Sequence, residues 1–295
     1  MNTAFYFVHP FPAFLYFLFA VMIVMLYQHP FFLGAGCLLL IILHLFLDRG
    51  QTVRRWLPGF ILLFIFIFAI TPLFNHRGNH ILFNLFNQPI TLEAVLQGLM
   101  NALTIVAILL LAIGFNIIMT ADKFLFLFSK GFPKWALVAM LALRFIPLFT
   151  RRLKEIVAVQ KTKGKSVTKG RFKNRMKTAL ELVQILLTWS LEEGIQTADS
   201  MTSRGYGLTK RTKYHPYKVR KEDVGILLFL ALTTLYGIFG WYLGDGVLTL
   251  TPVLEPVWLY GREWAFFAGY IILLGLPLWV EAKESLAWYY WKRKH

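Results

Sequence analysis

The only long polar interval of the chain contains the segments RFIPLFTRRLKEIVAVQKTKG (residues 144–164) and MKTALELVQILLTWSLEEGIQTADSMTSRG (residues 176–205). Each segment predicts a helix that ends at a basic residue followed by glycine. A cation in the last turn of a helix faces the negative end of the helix dipole, and a glycine past the end tolerates the left-handed closing conformation. Lys163-Gly164 and Arg204-Gly205 are therefore predicted to be the two helix ends.

The second segment has an amphipathic pattern, because its apolar residues step by three and four. They predict one apolar stripe: Leu180, Val183, Leu187, Leu191, Ile195, Ala198 and Met201. A second stripe is polar: Glu181, Gln184, Thr188, Glu192, Gln196, Ser200 and Ser203. This pattern predicts that the apolar stripe packs on another element, such as the first helix, and that the polar stripe faces water or a partner. Pro147 predicts a kink near the start of the first helix.

Outside this interval the chain is apolar, with 57% hydrophobic residues and a positive mean hydropathy. Six apolar runs approach the ~20 residues that a helix needs to cross a bilayer. They occupy residues 11–27, 31–47, 59–74, 98–120, 224–243 and 264–280. The sequence therefore predicts an all-α polytopic membrane protein with about six spans. Residues 1–120 are predicted to hold four spans, residues 121–222 a cytoplasmic domain with the two long helices, and residues 223–295 two spans.

The placement of the positive charge predicts the orientation in the membrane. Of the 31 Lys and Arg residues, 22 lie between residues 121 and 222. Cytoplasmic segments of membrane proteins carry such an excess of cations. Six spans then place both termini, the basic 49–55 segment and the long polar interval in the cytoplasm of a plasma-membrane protein. Although the net charge is +16, this distribution along the membrane disfavours nucleic-acid binding. No basic segment precedes the first apolar run, so a cleaved signal peptide is not expected.

Several kinds of chemistry are disfavoured by the sequence. Gly164-Lys165-Ser166 resembles the end of a phosphate-binding loop, but position 159 is Val where that loop needs Gly, and a helix precedes it instead of a strand. Cys37 is the sole cysteine, which excludes an intrachain disulfide and a cysteine metal site. His76 and His80 are four residues apart in a predicted loop without a third ligand nearby, so a structural role is favoured over metal binding. No bound cofactor is expected.

The predicted spans contain no Asp, Glu, Lys or Arg. Ion-coupled and proton-coupled transporters usually carry ionisable groups near the middle of the membrane. Their absence from the spans disfavours a secondary transporter and a membrane enzyme that uses acid–base chemistry. The two long helices are therefore predicted to act by contact with other proteins.

Three motifs in the polar interval resemble a known family. Residues 198–206, ADSMTSRGY, resemble the second Ala-Arg-Gly signature and the preceding Ala-Asp-x-Met of the transmembrane T component (EcfT/CbiQ type) of energy-coupling factor (ECF) transporters. Residues 143–147, LRFIP, resemble the segment that leads into the first coupling helix of that family. Residues 160–164, QKTKG, stand where the first signature is expected. The first signature reads Thr-Lys-Gly here and the second Ser-Arg-Gly, so that Lys163 keeps the charge but loses the planar guanidinium.

The resemblance implies an energy-coupling subunit of an ATP-driven importer for a vitamin or a metal ion. It implies that two ABC ATPase subunits bind ATP and that a separate S component in the membrane binds the substrate. The residues implied to contact the ATPases are Thr162, Lys163, Gly164, Ser203, Arg204 and Gly205, with support from Arg144, Pro147, Ala198, Asp199 and Met201. Two alternatives remain open: a membrane scaffold whose basic amphipathic helices lie on anionic lipid, and another type of permease.

Overall fold

The computed structural model describes residue 5 and residues 8–75, 78–85, 88–163, 172–208, 217, 220–250 and 255–294. These residues form nine helices and two strands: α1 (Pro10–Leu26), α2 (Pro30–Asp48), α3 (Gln51–Phe74), β1 (Ile81–Leu85), β2 (Gln88–Thr91), α4 (Leu92–Ile118), α5 (Ala121–Gly131), α6 (Pro133–Thr162), α7 (Phe172–Ser203), α8 (Lys221–Tyr242) and α9 (Glu263–Lys294). They divide into two compact units, Met1–Phe124 with Tyr217–His295, and Leu125–Pro216. The predicted all-α class is confirmed.

Five helices are long and apolar enough to cross a membrane, namely α2, α3, α4, α8 and the Glu263–Lys283 part of α9. The sixth apolar helix, α1, has 17 residues. These six helices coincide with the six apolar runs of the sequence. The chain is therefore a multi-pass membrane protein, and the six helices all belong to the first compact unit.

Within this membrane unit, α2 packs against α3, α4 and α9, while α1 packs against α4 and α8. Two polar groups in the interior of this membrane unit are bonded to backbone carbonyls of neighbouring helices. The Tyr16 hydroxyl donates to the Leu274 carbonyl at 2.9 Å, and His44 Nε2 lies 2.9 Å from the Leu110 carbonyl oxygen. Such pairing is expected where the surrounding lipid offers no hydrogen bonds. These bonds tie α1 to α9 and α2 to α4.

The first two helices begin in the same way, with a His-Pro pair. His9 and His29 are the N-cap residues, and Pro10 and Pro30 occupy the first helical positions. Each histidine Nδ1 accepts a hydrogen bond from the backbone N–H two residues later, at 3.2 and 3.3 Å. Proline suits the first helical position because its missing N–H has no partner there. Burial lowers the pKa of His29, which lies between the two spans.

Small residues of α4 allow close packing against neighbouring helices. A Cβ on Gly98 would lie 3.0 Å from the Phe68 carbonyl oxygen of α3. Ala102 and Ala107 are fully buried on the same helix. Lys123 lies just beyond the other end of α4, where its Nζ donates to the Ile118 carbonyl at 3.0 Å. A cation at this position faces the negative end of the helix, and burial lowers its pKa to about 8.

The connection between α2 and α3 is shorter than the basic 49–55 segment that the sequence predicts between two spans. It consists of Arg49 and Gly50, both in the left-handed region with φ of 49° and 72°, and α3 begins at Gln51. Arg54 and Arg55 are therefore helical residues. A turn of two residues is long enough for the two helices to pack side by side. The basic composition of residues 49–55 does not reveal that the turn is this short.

The predicted loop at residues 75–91 contains a small β-hairpin. Strand β1 pairs antiparallel with β2, with Ile81 opposite Thr91 and an irregularity after Ile81. The buried Glu93 carboxylate in the first turn of α4 accepts hydrogen bonds from the Asn79 and His80 backbone and lies 2.9 Å from His80 Nδ1. This carboxylate fixes the hairpin to the start of α4, where the helix dipole favours a negative charge. His80 thus has the structural role that the sequence favoured, and His76 lies outside the described residues.

Candidate functional site

The second compact unit contains the two long helices α6 and α7, of 30 and 32 residues. At 1.5 Å per residue they are about 45 and 48 Å long. Helix α6 begins eleven residues earlier than predicted, at Pro133, and includes the apolar residues 135–149. Helix α7 begins four residues earlier than predicted, at Phe172. Proline suits the first position of a helix, and Pro133 occupies that position in α6. The polar pattern that begins at Arg144 did not reveal this earlier start.

The two helices contact each other around Trp189 of α7. The Trp189 ring meets the Phe149 ring edge to face at 5.8 Å, and the Arg152 guanidinium lies 4.8 Å from its centroid. Edge-to-face aromatic pairs and cation–π contacts each contribute about 1 kcal/mol. Arg152 also donates to Glu155 at 2.8 Å, an exposed pair of small energetic value. Trp189 therefore contributes to the crossing of α6 and α7 through contacts with one ring and one cation.

The prediction for the apolar stripe of α7 is wrong in one respect. The face of α7 that lies against other residues contains Leu182, with 4% exposure, and half-buried Leu186 and Trp189. The predicted stripe is exposed instead, with Leu187 at 58% and Leu191 at 68%. Helix α7 carries apolar residues on two adjacent faces, and the face with the larger tryptophan packs on α6. The stripe is left available for another partner or for lipid.

The end of α7 has the hydrogen bonds of a Schellman motif. Gly205 has φ of 81°, and its N–H donates to the Thr202 carbonyl at 2.9 Å. The Tyr206 N–H donates to the Met201 carbonyl at 3.0 Å. The predicted stop at Arg204-Gly205 is therefore confirmed. These bonds satisfy carbonyls of the last turn with backbone donors alone, so the Arg204 guanidinium is not needed to cap the helix.

The Arg204 side chain is exposed and makes no ion pair with any described residue. The other predicted residues of this signature, Ala198, Asp199, Met201 and Ser203, lie with it in the last two turns of α7. Ala198, Asp199 and Ser203 are exposed, whereas Met201 is half-buried. The structure thus groups this signature into one exposed, cationic helix end.

The end of α6 is described up to Lys163. Thr162 is the last helical residue, and the Lys163 N–H donates to the Gln160 carbonyl at 3.1 Å. Both Thr162 and Lys163 are exposed. The helix ends where the sequence predicts. Gly164, with the Gly164-Lys165-Ser166 segment, lies outside the described residues.

Arg144 and Pro147 lie within α6 and are exposed. They precede Lys163 by 19 and 16 residues, or about 28 and 24 Å along the helix axis. The structure therefore does not bring them to the helix end with Thr162 and Lys163. Their location is closer to Phe149 and the contact with Trp189 than to the signature.

Two features of the structure were missed from the sequence. The Trp189 contact could have been anticipated from a single tryptophan in an otherwise aliphatic amphipathic helix, because a large ring tends to mark a packing site. The pairing of Glu93 with His80 has no such local signal, since it requires the hairpin to fold back. No group of three or more His, Cys, Asp or Glu side chains that could hold a metal ion occurs in the described part of the chain.

This chain is similar to known proteins over most of its length. The profile of the family described as "CbiQ: Cobalt transport protein" matches residues 6–215. The chain belongs to this CbiQ/EcfT family. It is 27% identical over 194 residues to the energy-coupling factor transporter transmembrane protein EcfT of Staphylococcus aureus, which covers 61% of this chain and 72% of that protein.

Two further relatives have the same name. The EcfT of Lactobacillus helveticus is 31% identical over 192 residues, which are 59% of this chain and 68% of that protein. The EcfT of Thermotoga maritima is 27% identical over 230 residues, which are 74% of this chain and 82% of that protein. The chain is accordingly an energy-coupling transmembrane component of an ECF transporter. Helices α8 and α9 lie beyond the residues that the family profile matches.

Proposed function

We propose that this chain couples ATP hydrolysis by two ABC ATPase subunits to an S component that binds the substrate, a vitamin or a metal ion. The chain itself is non-catalytic and binds no cofactor, since ATP is bound by the partner subunits. The ends of α6 and α7 contact the ATPases, with Thr162, Lys163 and Gly164 on one and Ser203, Arg204 and Gly205 on the other. Both termini and the two long helices face the cytoplasm of the plasma membrane.

The observation that carries this proposal is the end of α7. Its last carbonyls are satisfied by the backbone, and the Arg204 guanidinium is exposed and not ion-paired among the described residues. A planar guanidinium on a rigid helix end can form bidentate, charge-assisted hydrogen bonds with a carboxylate of a partner. The closing glycine fixes where the helix stops and therefore where the cation is presented.

The lengths of the two helices support transmission of motion. From Trp189 to Arg204, α7 extends 15 residues, or about 22 Å, beyond the crossing. From Arg152 to Lys163, α6 extends 11 residues, or about 16 Å. Because the backbone hydrogen bonds of a helix are internal, each arm moves as a unit. A displacement of the ATPases at the ends would therefore be transmitted to the crossing.

The exposed apolar stripe of α7 supports a further partner. Leu180, Val183, Leu187, Leu191 and Ile195 are all exposed, and a contiguous apolar surface of this kind is typical of a protein interface. In the proposed complex the S component covers this stripe. Lipid is the other candidate cover, as in the scaffold alternative.

The decisive experiment is co-purification of the ATPase subunits with the Arg204→Glu variant. We expect a loss of ATPase recovery corresponding to about 3 kcal/mol or more of binding free energy, with normal membrane insertion. The matched control is Lys177→Glu, which makes the same change of charge at an exposed position near the start of α7.

The two variants also separate the alternatives. A lipid-bound scaffold predicts that Arg204→Glu and Lys177→Glu have equal effects on ATPase recovery, because only the total charge of the helices matters in that case. A permease that acts without ATPases predicts transport that is independent of both. Unchanged ATPase recovery with Arg204→Glu contradicts the proposal.

A further inference from the structure

The described residues of the segment between α8 and α9, 243–250 and 255–262, cover the end of the membrane unit where α1 and α2 are joined. The Leu248 N–H donates to the Gln28 carbonyl in the α1–α2 turn at 3.0 Å. A Cβ on Gly246 would lie only 2.3 Å from the Tyr27 ring. Leu248 and Leu259 are buried, so the segment is packed onto the helix ends.

Polar groups of this segment pair with one another. The Arg262 guanidinium lies 3.6 Å from the Asp245 carboxylate, which is 12% exposed. The Thr249 N–H donates to the Glu255 carboxylate at 3.2 Å, and the Glu255 N–H donates to the Thr249 carbonyl at 3.2 Å. Three of its charged side chains, Asp245, Glu255 and Arg262, are thus engaged within the segment.

Large aromatic side chains are exposed at this end of the bundle. Tyr242 is the last residue of α8, and Trp264 is the second residue of α9. Trp258 is 62% exposed, and its ring lies 5.6 Å from the ring of Phe31, the second residue of α2. Tyr260 is likewise exposed. Because these rings lie at or next to the ends of α2, α8 and α9, they lie at the level where these spans leave the hydrocarbon core of the bilayer.

We propose that residues 243–250 and 255–262 lie in the headgroup layer of the bilayer, with Trp258 and Tyr260 as anchors that fix the depth of the α8–α9 pair. Tryptophan and tyrosine favour this layer because each combines an apolar ring with a polar group. Lipid is favoured over a protein partner because the three spans that these rings flank also expose large apolar side chains, among them Leu38 of α2, Leu235 of α8 and Ile272 of α9. The proposal concerns helices beyond the matched family region and does not depend on which side of the membrane this end faces.

The test is a measurement of membrane depth by spin labelling in phosphatidylcholine–phosphatidylglycerol vesicles. In a Cys37→Ala background, single labels are placed by Trp258→Cys and Tyr260→Cys. Leu235→Cys, exposed on α8, is the reference for lipid, and Glu192→Cys, exposed on α7, is the reference for water. We expect the ratio of oxygen to water-soluble nickel accessibility at both test positions to be several-fold above the Glu192 value and below the Leu235 value.

Two results overturn the proposal. A ratio equal to that of Glu192 places the segment in water, and low accessibility to both reagents places it under a protein. A second measurement avoids the cysteine variants altogether. The fluorescence that is lost on Trp258→Phe should be quenched more strongly by lipids brominated near the headgroup than by lipids brominated near the chain end. Absence of quenching by both lipids rejects the lipid contact.

Discussion

The membrane unit and the α6–α7 unit use apolar residues differently. In the membrane unit, α2 buries eight of its residues and α4 buries eleven, among them glycines and alanines in close contact with neighbours. In α6 and α7, the buried residues are Ala136 and Leu182. The first unit has an interior that defines its own packing. The second unit consists of two long helices that contact each other at one crossing, and the apolar stripe of α7 is left exposed. The contrast shows that the described membrane unit buries a core of its own, whereas α6 and α7 bury few residues.

Overpacking should break the membrane unit. A Cβ on Gly240 of α8 would lie 2.5 Å from the Phe266 ring of α9, and we expect Gly240→Leu to destabilise the unit by about 3 kcal/mol. Gly225→Leu is the control on the same helix, because nothing lies within 4 Å of its Cβ. Thermal unfolding of the purified protein in detergent compares the two. Equal melting temperatures would show that the α8–α9 contact is adaptable.

Loss of the Trp189 ring should loosen the crossing of α6 and α7 and leave the membrane unit unchanged. We expect Trp189→Ala to cost about 2 kcal/mol, since it removes the Phe149 and Arg152 contacts together. Hydrogen exchange of the α6 and α7 amides measures this effect. Trp135→Ala, at an exposed position of α6, is the control and should not alter the exchange. If both variants behave alike, the crossing is held elsewhere.

Gly205 should resist replacement for a reason opposite to that at Gly240. Its Cβ would meet only Leu208, at 3.9 Å, but its φ is 81°. A β-branched residue in the left-handed region costs about 1–2 kcal/mol, so Gly205→Val should fray the last turn of α7 and reduce ATPase recovery. Gly194→Val, inside the same helix and in open space, should retain both. Full transport by Gly205→Val would refute the role of this helix stop.

The smallest effect is expected at the end of α6. Lys163→Arg restores the guanidinium of the family signature, and bidentate pairing should raise ATPase affinity by about 1 kcal/mol at most. Lys161→Arg, also exposed in the last turn, is the control without a proposed contact. Titration of the ATPase subunits against both variants measures the difference. Weaker binding of Lys163→Arg would indicate that the partner groove is shaped for lysine.

Much of the fold and one half of the candidate site could be predicted from local sequence. A run of about 20 apolar residues must form a helix in lipid, and all six runs do so. The stop at Arg204-Gly205 follows from glycine's access to positive φ, which is a property of the residue itself. The end of α6 at Thr162 also lies where the sequence predicts it, whereas the role of Gly164 stays a prediction.

Helix starts were predicted less well than helix ends. Gln51, Pro133 and Phe172 each begin a helix earlier than the hydrophobic pattern indicates, because polar and charged residues are good helix formers once a long apolar segment has nucleated the turn. The hairpin at 81–91 was missed because it depends on Glu93 accepting hydrogen bonds from residues thirteen and fourteen positions earlier.

By itself, the sequence determined that this is a membrane protein of six apolar helices with two long helices that end at basic residues, and that a glycine closes the end of α7. Those properties depend on residue transfer to lipid and on backbone conformation, and both act over short stretches of chain. Only the tertiary structure decided which face of α7 is buried, because Trp189 and the Leu180–Ile195 stripe are equally apolar in sequence. That choice depends on the shape of α6, where Phe149 and Arg152 fit a tryptophan ring, and it leaves the stripe exposed.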